Sequence, residues 1–218
     1  MISRESVAKV FIRLRVSADL ITWAGLLLSF YTAWLMMEGH FFAAGWVLLL
    51  SGLCDLLDGA VARASGKNGP FGGILDSSLD RYGDGAVLAA CALYYSELGQ
   101  MRFVYFSLSA FIGSFAISYV RARAECEMDN CRVGFWERGE RLVLLALSLL
   151  VNNLGAALLI LAIGTHWTVF QRITFAKNQI KNSRPIPFYL RPSPRNSRAY
   201  FFKISALFLF LLLYRSFA

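Results

Sequence analysis

The chain has 218 residues, of which 57% are hydrophobic, and its mean hydropathy is +0.52. One soluble core of this size cannot bury so much apolar surface, so a soluble globular domain is excluded and a membrane protein is indicated. The net charge of +8 is explained by membrane topology and attraction to anionic lipid, so we expect membrane lipid and no nucleic acid as a partner.

Residues 1–15 are basic and contain an apolar face at helical spacing, formed by Val7, Val10, Phe11 and Leu14. We expect an N-terminal interfacial helix that lies in the membrane surface, with an ordinary amphipathic lead-in as the alternative. The apolar run that follows is too long for a signal peptide and lacks a small-residue cleavage site, so no cleaved leader is expected.

Six later stretches are apolar enough to predict an all-α protein with six transmembrane helices, since about 20 residues cross the hydrocarbon of a bilayer. Arg138 and Arg141 could snorkel and so extend the short fifth stretch. The turns on one side contain a single basic residue, Arg102. Because cytoplasmic loops collect Lys and Arg, we expect both termini and the active site of a multi-pass cell-membrane protein to face the cytoplasm. The predicted spans are 19–37, 41–62, 76–96, 103–123, 139–152 and 155–173.

Four aspartates lie in the second and third predicted spans, where a charged group at the helix centre costs about 2.5–3.5 kcal/mol. Asp55 and Asp58 are three residues apart and Asp76 and Asp80 four apart, so each pair shares a helix face. Residues 64–71 are rich in Gly and Pro and should bring the two faces together. Converging carboxylates need compensation, and oxygen ligands favour Mg²⁺ or Mn²⁺, of which two ions suit a reaction at phosphorus.

On the residues alone, the four aspartates are also compatible with roles that need no bound metal. The carboxylates could be solvated at a helix end, pair with Arg63 and Arg81, line a cation pathway, or shuttle protons in a transporter.

The acidic segment satisfies the pattern Asp-x₂-Asp-Gly-x₂-Ala-Arg-x₈-Gly-x₃-Asp-x₃-Asp from Asp55 to Asp80, which resembles the signature of the CDP-alcohol phosphatidyltransferase family. The resemblance covers roughly residues 5–176, so we expect a catalytic membrane domain at 1–176. It implies transfer of a phosphatidyl group from a CDP-diacylglycerol-type lipid to a small alcohol. It also implies that Asp55, Asp58 and Asp76 hold metal and that Asp80, beside the metal, is the base that activates the acceptor hydroxyl.

Small residues accompany the aspartates at Gly59, Ala62, Gly72 and Gly73. They leave room for the nucleotide of the CDP-lipid, although small residues also allow close packing of membrane helices. Arg63 can offer a planar fork to the diphosphate, or it can anchor the helix at the cytosolic surface.

Asp19 and Thr22 resemble the family's entry to the first helix, where two such residues approach the cytidine. The family's usual preceding proline is replaced by Ala18, and capping of the helix is the alternative role for Asp19. Asp84 lies one turn beyond Asp80 and is either a further group at the metal or a partner for a basic residue.

The segments 117–125 and 137–142, with the pair Gln171-Arg172, resemble the phosphatidylinositol phosphate synthase branch of the family. That branch implies that cations matching Arg121, Arg141 and Arg172 surround the phosphate of the acceptor, which would then be inositol phosphate. Three cations suit a dianionic phosphate, although Arg121 stands where the branch has lysine, and each arginine could instead anchor the membrane surface. Glycerol phosphate, serine, an archaeal-type CDP-lipid and a cation transporter are the alternatives, and the resemblance implies a homodimer.

Residues 177–218 are expected to lie outside the catalytic domain. Residues 183–198 are rich in Pro, Arg and Ser, which indicates a flexible basic linker. Residues 199–214 are apolar but short for a span, so an interfacial helix, a seventh crossing and a disordered appendage are all open.

Overall fold

The computed structural model describes residues 17–65, 69–128, 130–180, 205–207 and 210–211. Within these ranges the protein contains helices and no strand, which confirms the all-α prediction. The predicted interfacial helix and the basic linker lie outside the described residues. The six long helices are α1 Ala18–Met37, α2 Phe41–Ser65, α3 Pro70–Glu97, α4 Met101–Ala124, α5 Arg138–Leu150 and α6 Leu154–Ile180, and residues 205–207 and 210–211 are also helical.

Four of the six helices, α1, α2, α4 and α6, are long and apolar enough to cross a membrane. Helix α5 has 13 residues, which corresponds to about 20 Å. Helix α3 has 28 residues, but its acidic residues reduce its hydropathy. The prediction of six spans therefore has this support for four helices and stays a prediction for α3 and α5. Helix α6 runs past the predicted domain boundary at residue 176.

Short turns join α1 to α2, α3 to α4 and α5 to α6 at one end of the bundle. Ser17 caps α1 by accepting a hydrogen bond from the backbone N–H of Leu20 at 3.3 Å. Gly39 and Gly99, which follow α1 and α3, have φ of 78° and 68°, a left-handed conformation that glycine adopts without steric cost. Pro70 stands in the first turn of α3, where its missing N–H has no intrahelical partner to lose.

The helices form a closed ring in the order α1, α2, α5, α6, α4, α3. Each helix packs mainly against its two neighbours in this order, so α2 and α3 both contact α1 but are not adjacent to each other. This arrangement leaves room between the faces of α2 and α3 that carry the aspartates.

Small and hydroxylated residues mediate the closest helix contacts. Ser51 of α2 donates a hydrogen bond to the carbonyl oxygen of Gly25 on α1 at 2.9 Å, and its hydroxyl lies 2.9 Å from that of Ser29. A Cβ added at Gly45 would lie 2.8 Å from the Leu150 side chain, which shows how closely α2 and α5 approach. Such contacts are typical of membrane helices. The hydrophobic effect does not drive these helices together in lipid, so their association depends on close packing of the backbones.

The outer surface of the ring is apolar. On α1, large apolar side chains that are 48–66% exposed recur at positions 20, 23, 27, 30 and 34, which follow one helix face. An exposed apolar stripe of this length fits contact with lipid.

The described tail residues pack on the core rather than standing away from it. Leu211 is 1% exposed, and its carbonyl oxygen accepts a 2.5 Å hydrogen bond from the side-chain amide of Asn153 in the turn between α5 and α6. Because Asn153 precedes α6 and Ile180 ends it, Leu211 lies about 40 Å of helix away from Ile180.

Candidate active site

Three of the predicted aspartates converge between α2 and α3. Asp55 of α2 and Asp76 and Asp80 of α3 each offer one carboxylate oxygen, and these oxygens lie within 4.8 Å of one another. All three side chains are partly buried. The two acidic faces therefore meet, as the sequence predicts.

Asp58 is not part of this group of three. Its side chain is 5% exposed and accepts a 2.9 Å hydrogen bond from the hydroxyl of Thr22 on α1. Asp58 lines the same pocket as Asp55 and Asp80, so the predicted convergence is observed for three carboxylates and stays a prediction for the fourth. Thr22, expected near the cytidine, directly positions one of the aspartates.

Arg138, at the first position of α5, inserts its guanidinium between the two acidic helices. Its Nη1 lies 2.8 Å from Asp55 Oδ1 and 3.0 Å from Asp80 Oδ1, and its Nε lies 3.3 Å from Asp84 Oδ1. One cation therefore contacts carboxylates from both sides of the site. Arg138 was not predicted as a site residue from the sequence, although the need for compensating charge beside clustered aspartates was a usable signal.

In the structure, Asp84 is a partner for basic residues. It accepts from Arg138 and, at 2.7 Å, from Nη2 of Arg141, whose Nη1 also donates to the carbonyl oxygen of Trp136 at 3.1 Å. Arg141 is 5% exposed. The start of α5 is thus fixed to α3 by two guanidinium groups that share Asp84.

A small polar pocket lies beside these groups. Its walls come from α1, α2, α3 and the start of α5, which surround the space between the acidic faces of α2 and α3. Its polar lining includes Thr22, Ser29, Asp55, Asp58, Asp80 and Arg138.

The motif glycines differ from the glycines that pack helices together. A Cβ added at Gly72 or Gly73 would meet nothing within 4 Å among the described residues, and at Gly59 it would meet only the side chain of Arg63, 3.3 Å away. Packing against the described residues therefore does not account for these three glycines. The open space beside them favours the alternative, access for a ligand.

Asp19, Ala62 and Arg63 lie near the same end of the bundle. Asp19 is exposed in the first turn of α1, but Ser17 is the residue that caps the helix, so the capping alternative for Asp19 is not needed. Ala62 is half-buried, and Arg63 is exposed in the last turn of α2 and forms no ion pair with another described residue.

Arg172 holds the loop between α4 and α5 in place. Its guanidinium is almost fully buried and donates to the carbonyl oxygens of Val133 at 3.0 Å and Ile117 at 2.8 Å, with Glu137 at 3.9 Å. These contacts hold the loop that positions Arg138. The predicted contact of Arg172 with an acceptor phosphate stays a prediction.

Arg121 forms an ion pair with Glu125 at 2.9 Å across one turn at the end of α4. Burial acts to raise the pKa of Glu125, but hydrogen bonds from Arg121 and from the N–H of Cys131 outweigh burial, so this pKa lies below its usual value. Glu125 therefore stays ionised at neutral pH. Arg121, with a side chain that is 32% exposed, is the most accessible of the three arginines predicted for the acceptor.

The residues present fit a divalent metal ion. Three carboxylate oxygens at mutual distances suited to one cation form the hard-ligand set that Mg²⁺ and Mn²⁺ prefer. In addition, Asp76 Oδ1 is buried without a hydrogen-bond partner among the described residues. A buried carboxylate oxygen in that state is costly unless a cation or a donor reaches it.

Comparison with known proteins identifies the family of the chain. The chain matches the family model for CDP-alcohol phosphatidyltransferases over residues 15–170 and belongs to that family of transferases. This assignment excludes the alternative of a cation transporter and confirms the predicted class of enzyme.

The chain is similar to an archaetidylinositol phosphate synthase of Pyrococcus horikoshii, with 33% identity over 81% of this chain and 92% of that protein. It is also 36% identical to a phosphatidylinositol phosphate synthase of Corynebacterium glutamicum, over 79% of this chain and 83% of that protein.

Solved structures of the Mycobacterium tuberculosis phosphatidylinositol phosphate synthase have a similar fold. The structure with CDP-DAG bound has a TM-score of 0.75 and 28% identity, over 84% of this chain and 98% of that one. The structure in complex with manganese and citrate has a TM-score of 0.75 and 29% identity, over 85% of this chain and 95% of that one.

Proposed function

We propose that this enzyme transfers the phosphatidyl group of CDP-diacylglycerol, or of a similar CDP-lipid, to inositol phosphate, with release of CMP. The observation that carries the proposal is the meeting of Asp55, Asp76 and Asp80 beside a small polar pocket, within the family's signature. The M. tuberculosis relative binds CDP-DAG and manganese, which supports a CDP-lipid and a divalent cation for this chain.

The aspartates have distinct roles in this proposal. Asp55, Asp58, Asp76 and Asp80 would hold Mg²⁺ or Mn²⁺, in two ions, and these cations would supply positive charge against the diphosphate of the CDP-lipid. Thr22 keeps Asp58 oriented through its 2.9 Å hydrogen bond.

Asp80 is the proposed base. One of its carboxylate oxygens takes the proton of the acceptor hydroxyl, the acceptor oxygen forms a bond to the lipid-linked phosphorus, and the phosphorus–oxygen bond to CMP breaks. No covalent enzyme intermediate is required, because the attacking oxygen belongs to the acceptor.

The CDP-lipid would lie along the motif glycines. Gly59, Ala62, Gly72 and Gly73 leave space for the nucleotide. Arg63 forms no ion pair with an acid in the described ranges, so its guanidinium can donate hydrogen bonds to the diphosphate. Asp19 and Thr22 would approach the cytidine from α1.

The acceptor would be held by its phosphate. Arg121, Arg141 and Arg172 are the proposed partners, and both curated relatives described above are synthases of inositol phosphate lipids. Arg121 is the most exposed and would contact the phosphate first, since Arg141 and Arg172 already donate to backbone carbonyl oxygens. The P. horikoshii relative keeps an archaeal-type CDP-lipid as the alternative donor.

Membrane placement completes the proposal. Residues 1–176 would form the catalytic domain of a multi-pass, homodimeric cell-membrane protein with six spans, and the aspartate end of the ring would face the cytoplasm. The supporting feature is the charge distribution, since Arg102, at the second position of α4, is the one Lys or Arg at the other end among the described residues.

The test uses the purified full chain with Mg²⁺ or Mn²⁺, with CDP-diacylglycerol or its archaeal counterpart as donor. Inositol phosphate, inositol, glycerol phosphate and serine are offered separately, and CMP release is scored together with the mass of the lipid product. We expect turnover with inositol phosphate and its loss in Asp80→Asn. Turnover with serine or glycerol phosphate alone would overturn the proposed acceptor, and absence of CMP with every acceptor would overturn the proposed reaction.

A further inference from the structure

Arg138 uses two of the three carboxylates that a metal ion would need. Its Nη1 contacts both Asp55, at 2.8 Å, and Asp80, at 3.0 Å. These two carboxylates belong, with Asp76, to the group whose oxygens lie within 4.8 Å of one another. A divalent cation bound by this group and the guanidinium of Arg138 would therefore share ligands.

We infer that Arg138 is a positioning residue that holds Asp55 and Asp80 together in the metal-free enzyme and competes with the divalent cation for them. This inference rests on the metal site of the proposed function. The guanidinium of Arg138 occupies the cation position in the metal-free enzyme and moves away from it when the metal binds.

Electrostatics explains why such a group is needed. Without a counter-charge, carboxylates this close repel one another strongly in a partly buried site. Arg138 contacts acids from both α2 and α3, which are not adjacent in the ring, so it also supplies a direct link between the two helices. Once a divalent cation is bound at these carboxylates, the positive charge of Arg138 repels that cation.

Arg138 also has a second acidic partner, Asp84, toward which its side chain can move. Its Nε already contacts Asp84 at 3.3 Å, one turn away from Asp80, and its side chain is 19% exposed at the first position of α5. Arg141, by contrast, is fixed by both Asp84 and the Trp136 carbonyl and is 6% exposed in its side chain. The charge that moves is therefore that of Arg138, and Arg141 keeps the start of α5 in position.

The experiment measures metal binding without turnover. Mn²⁺ is titrated into the detergent-solubilised full chain by calorimetry and electron paramagnetic resonance, for the wild type, Arg138→Gln and the matched control Arg123→Gln. Arg123 forms a similar ion pair, with Glu127, but its side chain is 59% exposed and lies away from the aspartates. We expect the dissociation constant of Arg138→Gln to fall about tenfold, because a nearby like charge is removed, and that of Arg123→Gln to stay unchanged.

A measurement on the wild type covers the case in which Arg138→Gln does not fold. Modification of arginines by phenylglyoxal is followed by mass spectrometry with and without saturating Mn²⁺. We expect metal to increase the modification of Arg138 severalfold and to leave Arg141 protected.

The outcomes separate this inference from the proposed function. If the wild type binds no metal, both are overturned. If the wild type binds metal but Arg138→Gln binds it equally or more weakly, or if metal does not increase the modification of Arg138, the inference alone is overturned.

Discussion

Substituting Gly73 by alanine separates a helix-packing role of the motif glycines from a role in ligand access. The added methyl group would meet nothing within 4 Å among the described residues, and alanine is favoured over glycine inside a helix. The free energy of unfolding should therefore rise by about 0.5–1 kcal/mol. If the nucleotide lies against this face, the same methyl group should lower kcat/KM for the CDP-lipid by roughly 10-fold to 200-fold.

Gly45→Ala is the matched control, because its methyl group would lie 2.8 Å from the Leu150 side chain and 3.0 Å from the Ala146 carbonyl oxygen. This overpacking should lower the free energy of unfolding by about 1–3 kcal/mol while kcat/KM of the folded fraction is kept. Thermal unfolding in detergent and CMP release at saturating acceptor give the two readouts. A Gly73→Ala variant that is less stable, with unchanged kcat/KM, would refute the role in ligand access.

Three further substitutions test neighbouring parts of the site. Thr22→Val removes the hydrogen bond to Asp58 and should weaken Mn²⁺ binding severalfold in a titration; unchanged affinity would show that Asp58 needs no orientation. Asp55→Asn should abolish CMP release and weaken Mn²⁺ binding more than Thr22→Val does, and full activity would remove Asp55 from the proposed metal site. Arg172→Lys replaces the guanidinium by a single nitrogen that does not reach both carbonyl oxygens in the same geometry, and should lower the free energy of unfolding by about 1–3 kcal/mol; a raised KM for inositol phosphate at unchanged melting temperature would instead support its predicted contact with the acceptor.

Hydropathy located the helices but not all of their ends. Helix α3 begins at Pro70, six residues before the predicted start at 76, because its first turns contain Pro70, Gly72 and Gly73, which favour a turn in the sequence but are helical here. Helix α6 ends at Ile180 rather than 173, since hydrogen bonding continues beyond the apolar stretch. A hydropathy pattern locates the part of a helix that matches the hydrocarbon of the bilayer. The polar ends of the helix extend beyond that part and are missed.

The meeting of the acidic faces was predictable because it depends on local spacing and one turn. The position of Arg138 was not, because it depends on the course of the loop between α4 and α5. That loop is fixed from α6 by Arg172, which donates to Val133, and by Thr168, whose hydroxyl accepts from the N–H of Trp136 at 3.4 Å. Contacts that join residues so far apart in sequence leave no periodic signal in the chain.

The hydrogen bond between Asn153 and Leu211 bears on where a label at the end of the chain would be found. Leu211 sits beside the turn that precedes α6, whereas the aspartates lie toward the other end of the ring, near the end of α2 and the start of α3. With the aspartates in the cytoplasm, an epitope placed directly after Leu211 would be read by antibodies from outside the cell. A label beside Leu211 and a label beside the aspartates would therefore report opposite ends of the bundle.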